Sequence, residues 1–487
     1  MAQTATTPLM APRRSDALVW PLAAATSIYA ALLLSGARLL NDPDTFWHIA
    51  AGRWIWLHRA VPSVDPFSHT MAGAPWLAHE WLAEVFLWCA YNLLGWTGVV
   101  VLSALAMALA FGVLAGTLLR FVPVRLALVT LAVSFLLAAS HMVARPHLLA
   151  IPLMVIWGAG LVTARAENRA PSLALLPAMA LWANLHGAFV IGLGIGAAFA
   201  AEAVLQAADW PARWNAAWRW GVFFGGALLA SLATPHGIAA WLFPFRLMRL
   251  TFAQNFVTEW RSPDFTRFQP IELWLGCLVL LFAVVRPRCS AIRLVLLAGL
   301  VYMALTHVRN DELLAFFGPL ILAEPVGRAL RGAHASMPAS ARRYAIAGSC
   351  ALTIAVTIFA AHRGFADDNP KIAPAAALAA ADKAQLTGKV FNDYDFGGYL
   401  IFTGIKPFVD GRFDLYGDDF MRDYAAALHA EDDALPRLLD RYGVTWTLLS
   451  PGTEAVAALD RLPGWERVYA DDTAIVHRRI APPPAGP

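Results

Sequence analysis

The feature that most constrains this chain is a succession of apolar runs, each close to the roughly 20 residues that carry a helix across about 30 Å of hydrocarbon. They fall at 17–40, 97–119, 124–141, 148–164, 172–186, 187–206, 217–234, 271–285, 291–307, 312–326 and 344–361. About 11 spans in an all-α polytopic membrane protein are therefore expected. Composition agrees: 59% of residues are apolar and 15% charged, against about 45–50% and about 25% in soluble domains. The stretch 172–206 is too long for one straight span, and Asn184-Leu185-His186-Gly187 breaks it into two short helices at a polar hinge. Trp81 to Leu94 would be only about 21 Å long as a helix, so it reads as re-entrant or juxtamembrane. Arg13 and Arg14 precede the first run, which exceeds a signal-peptide core and reads as an uncleaved span.

Charge divides the chain. Residues 1–361 carry a net +9 and residues 362–487 a net −6, and all four lysines (Lys371, Lys383, Lys389, Lys406) lie in the second part. This predicts a membrane domain over 1–361, with a first outer loop at 41–96, and a small soluble α/β domain over 362–487. Neither part has the basic stripe of a nucleic-acid binder, so no nucleic-acid partner is expected. Arg13/Arg14, Arg120/Arg125, Arg165/Arg169, Arg213/Arg219, Arg286/Arg288/Arg293 and Arg328/Arg331/Arg342/Arg343 fall on one face of this topology. By the positive-inside rule that face is cytoplasmic. The expectation is a multi-pass inner-membrane protein with a cytoplasmic N-terminus and a periplasmic or extracellular C-terminal domain. Histidines test the topology independently: His48, His58, His69, His79, His141, His147, His186, His236 and His307 all land on the outer face, and His334 inside. Helix-end histidines would populate both faces, so the bias predicts a shared polar site at the outer ends. The four cysteines are widely spaced and read as core residues without assigned chemistry.

The outer loop opens with Asn41-Asp42-Pro43-Asp44-Thr45-Phe46-Trp47-His48. Pro43 restricts Asp42 to an extended conformation, placing Asp44 at the N-cap of a Trp-rich surface helix, with His48 one turn on. Two carboxylates and an imidazole at the bilayer edge suit either a divalent cation, Mg or Mn, on Asp42, Asp44 and His48, or deprotonation of a hydroxyl. A plain helix cap followed by a turn would use the same residues.

The loop continues through Gly73-Ala74-Pro75-Trp76 and His79-Glu80-Trp81-Leu82 and closes with Leu93-Leu94-Gly95-Trp96. Here the chain resembles the GT-C superfamily of polytopic glycosyltransferases, most closely its protein-mannosyltransferase and aminoarabinose-transferase branch. That branch has an acidic residue just after the first span, a short surface helix and a Gly-x-Pro-Tyr segment. A Lys-Pro-Pro-Leu or His-Pro-Pro-Leu helix start and a Phe-Gly before the next span follow. Asp44 falls where the family has its catalytic carboxylate, Gly73–Trp76 matches Gly-x-Pro-Tyr, and His79 takes the Lys or His position. Thr45 departs from the common Asp-Glu, and Glu80-Trp81 replaces Pro-Pro. The resemblance implies a polyprenyl-phosphate-linked sugar donor lying in the bilayer. It also implies a glycan, lipid or protein acceptor, and Asp44 as general base assisted by Asp42 or His48.

Further polar groups on the same face are candidate substrate contacts: His79, Glu80, Arg145, His147, Asn184, His186, Glu259, Arg261, His307 and Arg309. Arginine grips phosphate oxygens in pairs, so Arg145, Arg261 and Arg309 are candidates for the lipid head group, and equally for interfacial or structural arginines. In the C-terminal part, strand-like runs at 388–391, 407–410, 444–449 and 473–477 alternate with helical patterns near 418–429, 431–442 and 453–461. Asn392–Tyr399 and Asp410–Tyr416 read as tight turns at strand ends, a pattern that also suits sugar binding. No phosphate loop or GxSxG occurs there, which places catalysis in the membrane domain. The rival reading is a non-enzymatic transporter or envelope-assembly scaffold with an outer ligand site. It predicts charges near mid-span, where only Glu202 and Glu84 qualify.

Overall fold

Each apolar run folds as a helix because its backbone groups find no partner in hydrocarbon except one another. The computed structural model describes residues 18–252, 257–330 and 338–480; Arg13, Arg14, Arg331 and His334 lie outside them. The first nine helices are α1 (Val19–Leu34), α2 (Asp44–His58), α3 (Trp81–Leu118), α4 (Val124–Ala138), α5 (Pro146–Ala166), α6 (Leu176–Leu185), α7 (Phe189–Leu205), α8 (Trp210–Ser231) and α9 (Ile238–Leu247). Further apolar helices cover Pro270–Val284, Ala291–Thr306, Asp311–Leu330 and Ala339–Arg363. All eleven expected spans coincide with helices, of which five are long and apolar enough to cross a bilayer on their own.

Two local signals act as read. The polar hinge separates α6 from α7, with His186 in extended conformation between them. Trp81–Leu94 is the first leg of α3, which breaks at Leu94–Gly95, where Gly95 has φ +58°, a value open to glycine without steric cost. That leg packs against α2 and buries Ala83, Glu84 and Leu87, so α3 is two helices in sequence joined at a kink. The helices pack through apolar and small side chains, because lipid offers a leucine as much apolar contact as protein does and only close fit favours association. Trp157, Trp182, Phe316 and Phe317 are fully buried there.

One departure from apolar packing lies at the arginine-rich end. Glu202 on α7 pairs with Arg293 at 2.9 Å and Arg165 at 3.2 Å, and Arg293 also reaches Glu324 at 2.7 Å. Glu202, expected near mid-span, thus stands in the last turn of α7, and its charge is neutralised between helices, joining α5 and α7 to Ala291–Thr306 and Asp311–Leu330.

The C-terminal part carries a four-stranded sheet of β1 (Lys389–Asn392), β2 (Val444–Leu449), β3 (Trp465–Ala470) and β4 (Ile475–Arg479), in the order β1-β2-β4-β3. β1 is parallel to β2, and the other pairs are antiparallel. The expected strand at 407–410 is instead an irregular segment. Asn392 satisfies its backbone, accepting the Phe408 N–H at 2.7 Å and donating to the Val409 carbonyl at 2.8 Å. β3 takes the fourth place in the sheet.

Candidate active site

The break before α2 is where the first carboxylates are set. Pro43 stands at the cap position, Asp44 is the first helical residue, and Asp42 Oδ1 accepts the Asp44 N–H at 2.9 Å. The capping role expected of Asp44 therefore falls to Asp42, which leaves the Asp44 carboxylate to face inward. Across from them Arg145, extended just before α5, donates from Nε to Asp42 at 2.7 Å and from Nη2 to Asp44 at 2.5 Å. Its Nη1 donates to both Glu259 oxygens at 3.1 Å.

These groups stand at one end of a cavity of about 490 Å³. Six of the nine outer histidines (His48, His79, His141, His147, His186 and His307) line it, together with Glu80, Arg309, Glu312 and Asp414. Its remaining wall is apolar, with Ile151 and Met154 of α5, Ile191 of α7 and Leu313. The other three histidines serve elsewhere: His58 stacks on Trp54, His69 bonds the Val390 carbonyl, and His236 bonds that of Ala78.

A second polar centre surrounds Glu80. His186 Nδ1 accepts the Ala188 N–H, so the ring proton sits on Nε2, 3.4 Å from Glu80. His79 Nε2 lies 3.5 Å from the same oxygen, and its ring stacks on Phe243. His48 turns Nδ1 to Glu84 at 3.3 Å.

Burial pushes the Asp44 carboxyl up to about 7; Arg145 opposes the shift, while Asp42 and Glu259 add to it. One guanidinium shared with Asp42 and Glu259 does not offset the desolvation of Asp44. Burial also disfavours charge on Arg145, but Asp42, Asp44 and Glu259 outweigh it and hold the guanidinium well above its usual range. Burial likewise opposes charge on Glu80, yet the charge and hydrogen bond of His79 lead the contacts that hold it well below the carboxylate range. Burial drives His48 down to about 3, a neutral ring at physiological pH.

Two predicted contacts stand apart. Asn184 spends its amide on the carbonyls of Ala180 and Ala233, and its oxygen accepts from Trp81, so it pins the helix break. Arg261 is exposed and outside the cavity wall, and its carbonyl accepts the Val308 N–H. A divalent ion on Asp42, Asp44 and His48 does not fit this arrangement. The Arg145 cation already bridges the two carboxylates, and His48 faces Glu84. Among the described residues no three acids, histidines or cysteines are set to hold a metal.

The segment Asp410–Tyr416, legible in the sequence only as a turn that also suits sugar binding, supplies part of the wall from the far end of the chain. Gly411, Arg412, Phe413 and Asp414 line the cavity. Gly411 lies against Asp44 so closely that a Cβ there would overlap the Asp44 carboxylate. Arg412, 1% exposed, bonds Asp410 and, at 2.7 Å, Asp65 of the first outer loop, beneath the Phe67 and Trp76 rings. Asp410 does accept the Arg412 N–H as a turn residue should, so the segment is both a turn and a cavity wall.

A helical body whose first outer loop and C-terminal part line one polar cavity is a fold already seen in solved structures. The crystal structure of ArnT from Cupriavidus metallidurans bound to undecaprenyl phosphate shares it. Its TM-score is 0.52 at 15% identity, over 98% of this chain and 100% of that one. The apo form of the same protein gives 0.51 at 15% identity, over 93% and 97%. The archaeal oligosaccharyltransferase AglB from Archaeoglobus fulgidus, in complex with an inhibitory peptide and a dolichol-phosphate, aligns at 0.49 and 11% identity, over 88% of this chain and 69% of that one. No family model and no curated protein matches the sequence. The likeness to ArnT is one of fold.

Proposed function

We propose that this chain is a membrane glycosyltransferase that moves a sugar from a polyprenyl-phosphate donor to a cell-envelope acceptor at the periplasmic face. The observation that carries the reading is the meeting, in one cavity, of a half-buried carboxylate held near 7, two arginines and an apolar wall. The undecaprenyl phosphate bound by a structure of the same fold supports the donor class.

In this reading Asp44 is the general base. It takes the proton of an acceptor hydroxyl as that oxygen bonds to the anomeric carbon; the bond from that carbon to the phosphate oxygen breaks on the opposite face. The electron pair leaves with the phosphate, and the anomeric configuration inverts. A base held near 7 is matched to this task, since it is ionised at working pH yet still basic enough to accept a proton. Asp42 acts by holding Arg145 and the first turn of α2, while His48 belongs to the Glu80 centre rather than to Asp44. Arginine near the leaving phosphate stabilises its growing charge where water is excluded. The apolar wall suits the isoprenoid tail.

The test is transfer of radiolabelled sugar from polyprenyl-phosphate donors in membranes carrying the wild type or Asp44→Asn at equal expression. A loss of at least about 10²-fold is expected. Equal activity would remove Asp44 from the mechanism, and no activity in either across a broad donor panel would favour a binding or transport role.

A further inference from the structure

The donor phosphate needs cationic groups free to receive it, yet the arginine nearest Asp44 is fully engaged. Arg145 meets three carboxylates, and two of them, Asp42 and Asp44, stand on the short segment that starts α2. The third, Glu259, comes from a separate loop, on the single turn Thr258–Trp260. Both its oxygens lie 3.1 Å from Arg145 Nη1, and Oε1 lies 3.8 Å from Arg309 Nη1.

Arg309 is the complementary case. Its guanidinium rests over the Trp260 ring at 4.2 Å and lines the cavity. Among the described residues it makes only the long ion pair to Glu259, and no hydrogen bond. A guanidinium has five N–H donors in a planar fork, suited to a carboxylate or a phosphate alike. Nearby, His141 keeps one ring nitrogen buried without a partner.

The charge count points the same way. Two arginines face Asp42, Asp44 and Glu259, one acid more than the cations balance. A phosphodiester carries one negative charge, so exchanging Glu259 for it leaves the cluster's total unchanged. We propose that Glu259 is a stand-in anion occupying the phosphate subsite, and that the donor's head group binds between Arg145 and Arg309 by displacing it. The assignment rests on the donor class proposed above. The electrostatics of Glu259 support it: burial opposes its charge, but Arg145, Arg309, His147 and His141 together hold it down at about 2. Those four groups converge on the point where an anion is favoured. Glu259 is accordingly a competitor of the substrate rather than one of its ligands, and Arg309 is the arginine with donors to spare.

The experiment measures equilibrium binding of farnesyl phosphate, farnesol and inorganic phosphate to the purified full chain in detergent. Glu259→Gln keeps the shape of the side chain and removes the competing charge. It is expected to bind farnesyl phosphate at least about tenfold tighter than wild type, about 1.4 kcal/mol. Arg309→Gln is expected to bind it at least about tenfold weaker, with farnesol unchanged in both variants. Should Glu259→Gln fail to fold, judged by its melting temperature without ligand, Glu259→Asp replaces it and is expected to tighten binding by a smaller factor. Unchanged or weaker farnesyl phosphate binding on removing the glutamate would overturn the proposal. Tightening confined to inorganic phosphate would also overturn it, because the subsite would then belong to free phosphate. Binding is read without transfer, so a phosphate subsite that tightens as stated in a chain inactive with every donor would count against the transferase reading alone.

Discussion

Single side chains set the pH behaviour expected of this site. Asp44 is raised by burial and by its acidic neighbours, so its basic form is lost as pH falls through about 7. Transfer at saturating donor should therefore fall about tenfold per pH unit on the acid side of that value and level off above it. In Glu259→Gln one negative neighbour is gone, and the midpoint should move to lower pH. A pH–rate profile of both enzymes checks this; a flat wild-type profile from roughly pH 6 to 8 would contradict the assignment. Asp44, His48, His79, Glu80 and Arg145 were legible in the sequence because ionisable groups beside long apolar runs are costly and stand out. Their partners were not. Nothing local tells that His48 turns to Glu84 or that three acids share Arg145, since those pairings join residues 36 to 114 positions apart.

Helices and their breaks were the most legible layer, because hydrocarbon leaves the backbone few alternatives. The hinge at 184–187 showed as polar residues inside an apolar run, and the short leg 81–94 showed by its length. The strand expected at 407–410 failed for a tertiary reason, the Asn392 side chain having taken over its backbone hydrogen bonds. At this scale the Glu202 cluster makes a prediction. Glu202→Ala leaves Arg293, 4% exposed, with one of its two acids missing. A broken buried pair of this kind costs about 3–5 kcal/mol. The exposed Arg120–Glu167 pair at the same end, at 2.9 Å, should cost no more than about 1 kcal/mol when Arg120 becomes alanine. Denaturation of both variants in detergent measures the contrast; equal, small losses would show that the cluster does not hold the helices together.

For the molecule as a whole, the charge asymmetry marked off the C-terminal part that carries the sheet but gave no sign that this part completes the cavity. Gly411→Ala tests that role, since the added methyl must push the loop away from Asp44. Transfer should fall at least about 10²-fold, whereas Gly452→Ala, in open space on the same domain, should leave it intact. Equal activity of the two variants, with similar melting temperatures, would separate the C-terminal domain from the chemistry. The contacts that seat this domain also impose an order of events during synthesis. Arg412 closes on Asp65 across 347 positions, Thr70 on the Phe408 carbonyl across 338, and His69 on the Val390 carbonyl across 321. The first outer loop therefore waits for a segment made more than 300 residues later before it reaches its final shape. A chain cut short after Ala339–Arg363 would lack these three contacts and the Gly411–Asp414 part of the cavity wall. The cavity thereby stays open until two segments more than 300 positions apart in the chain have met.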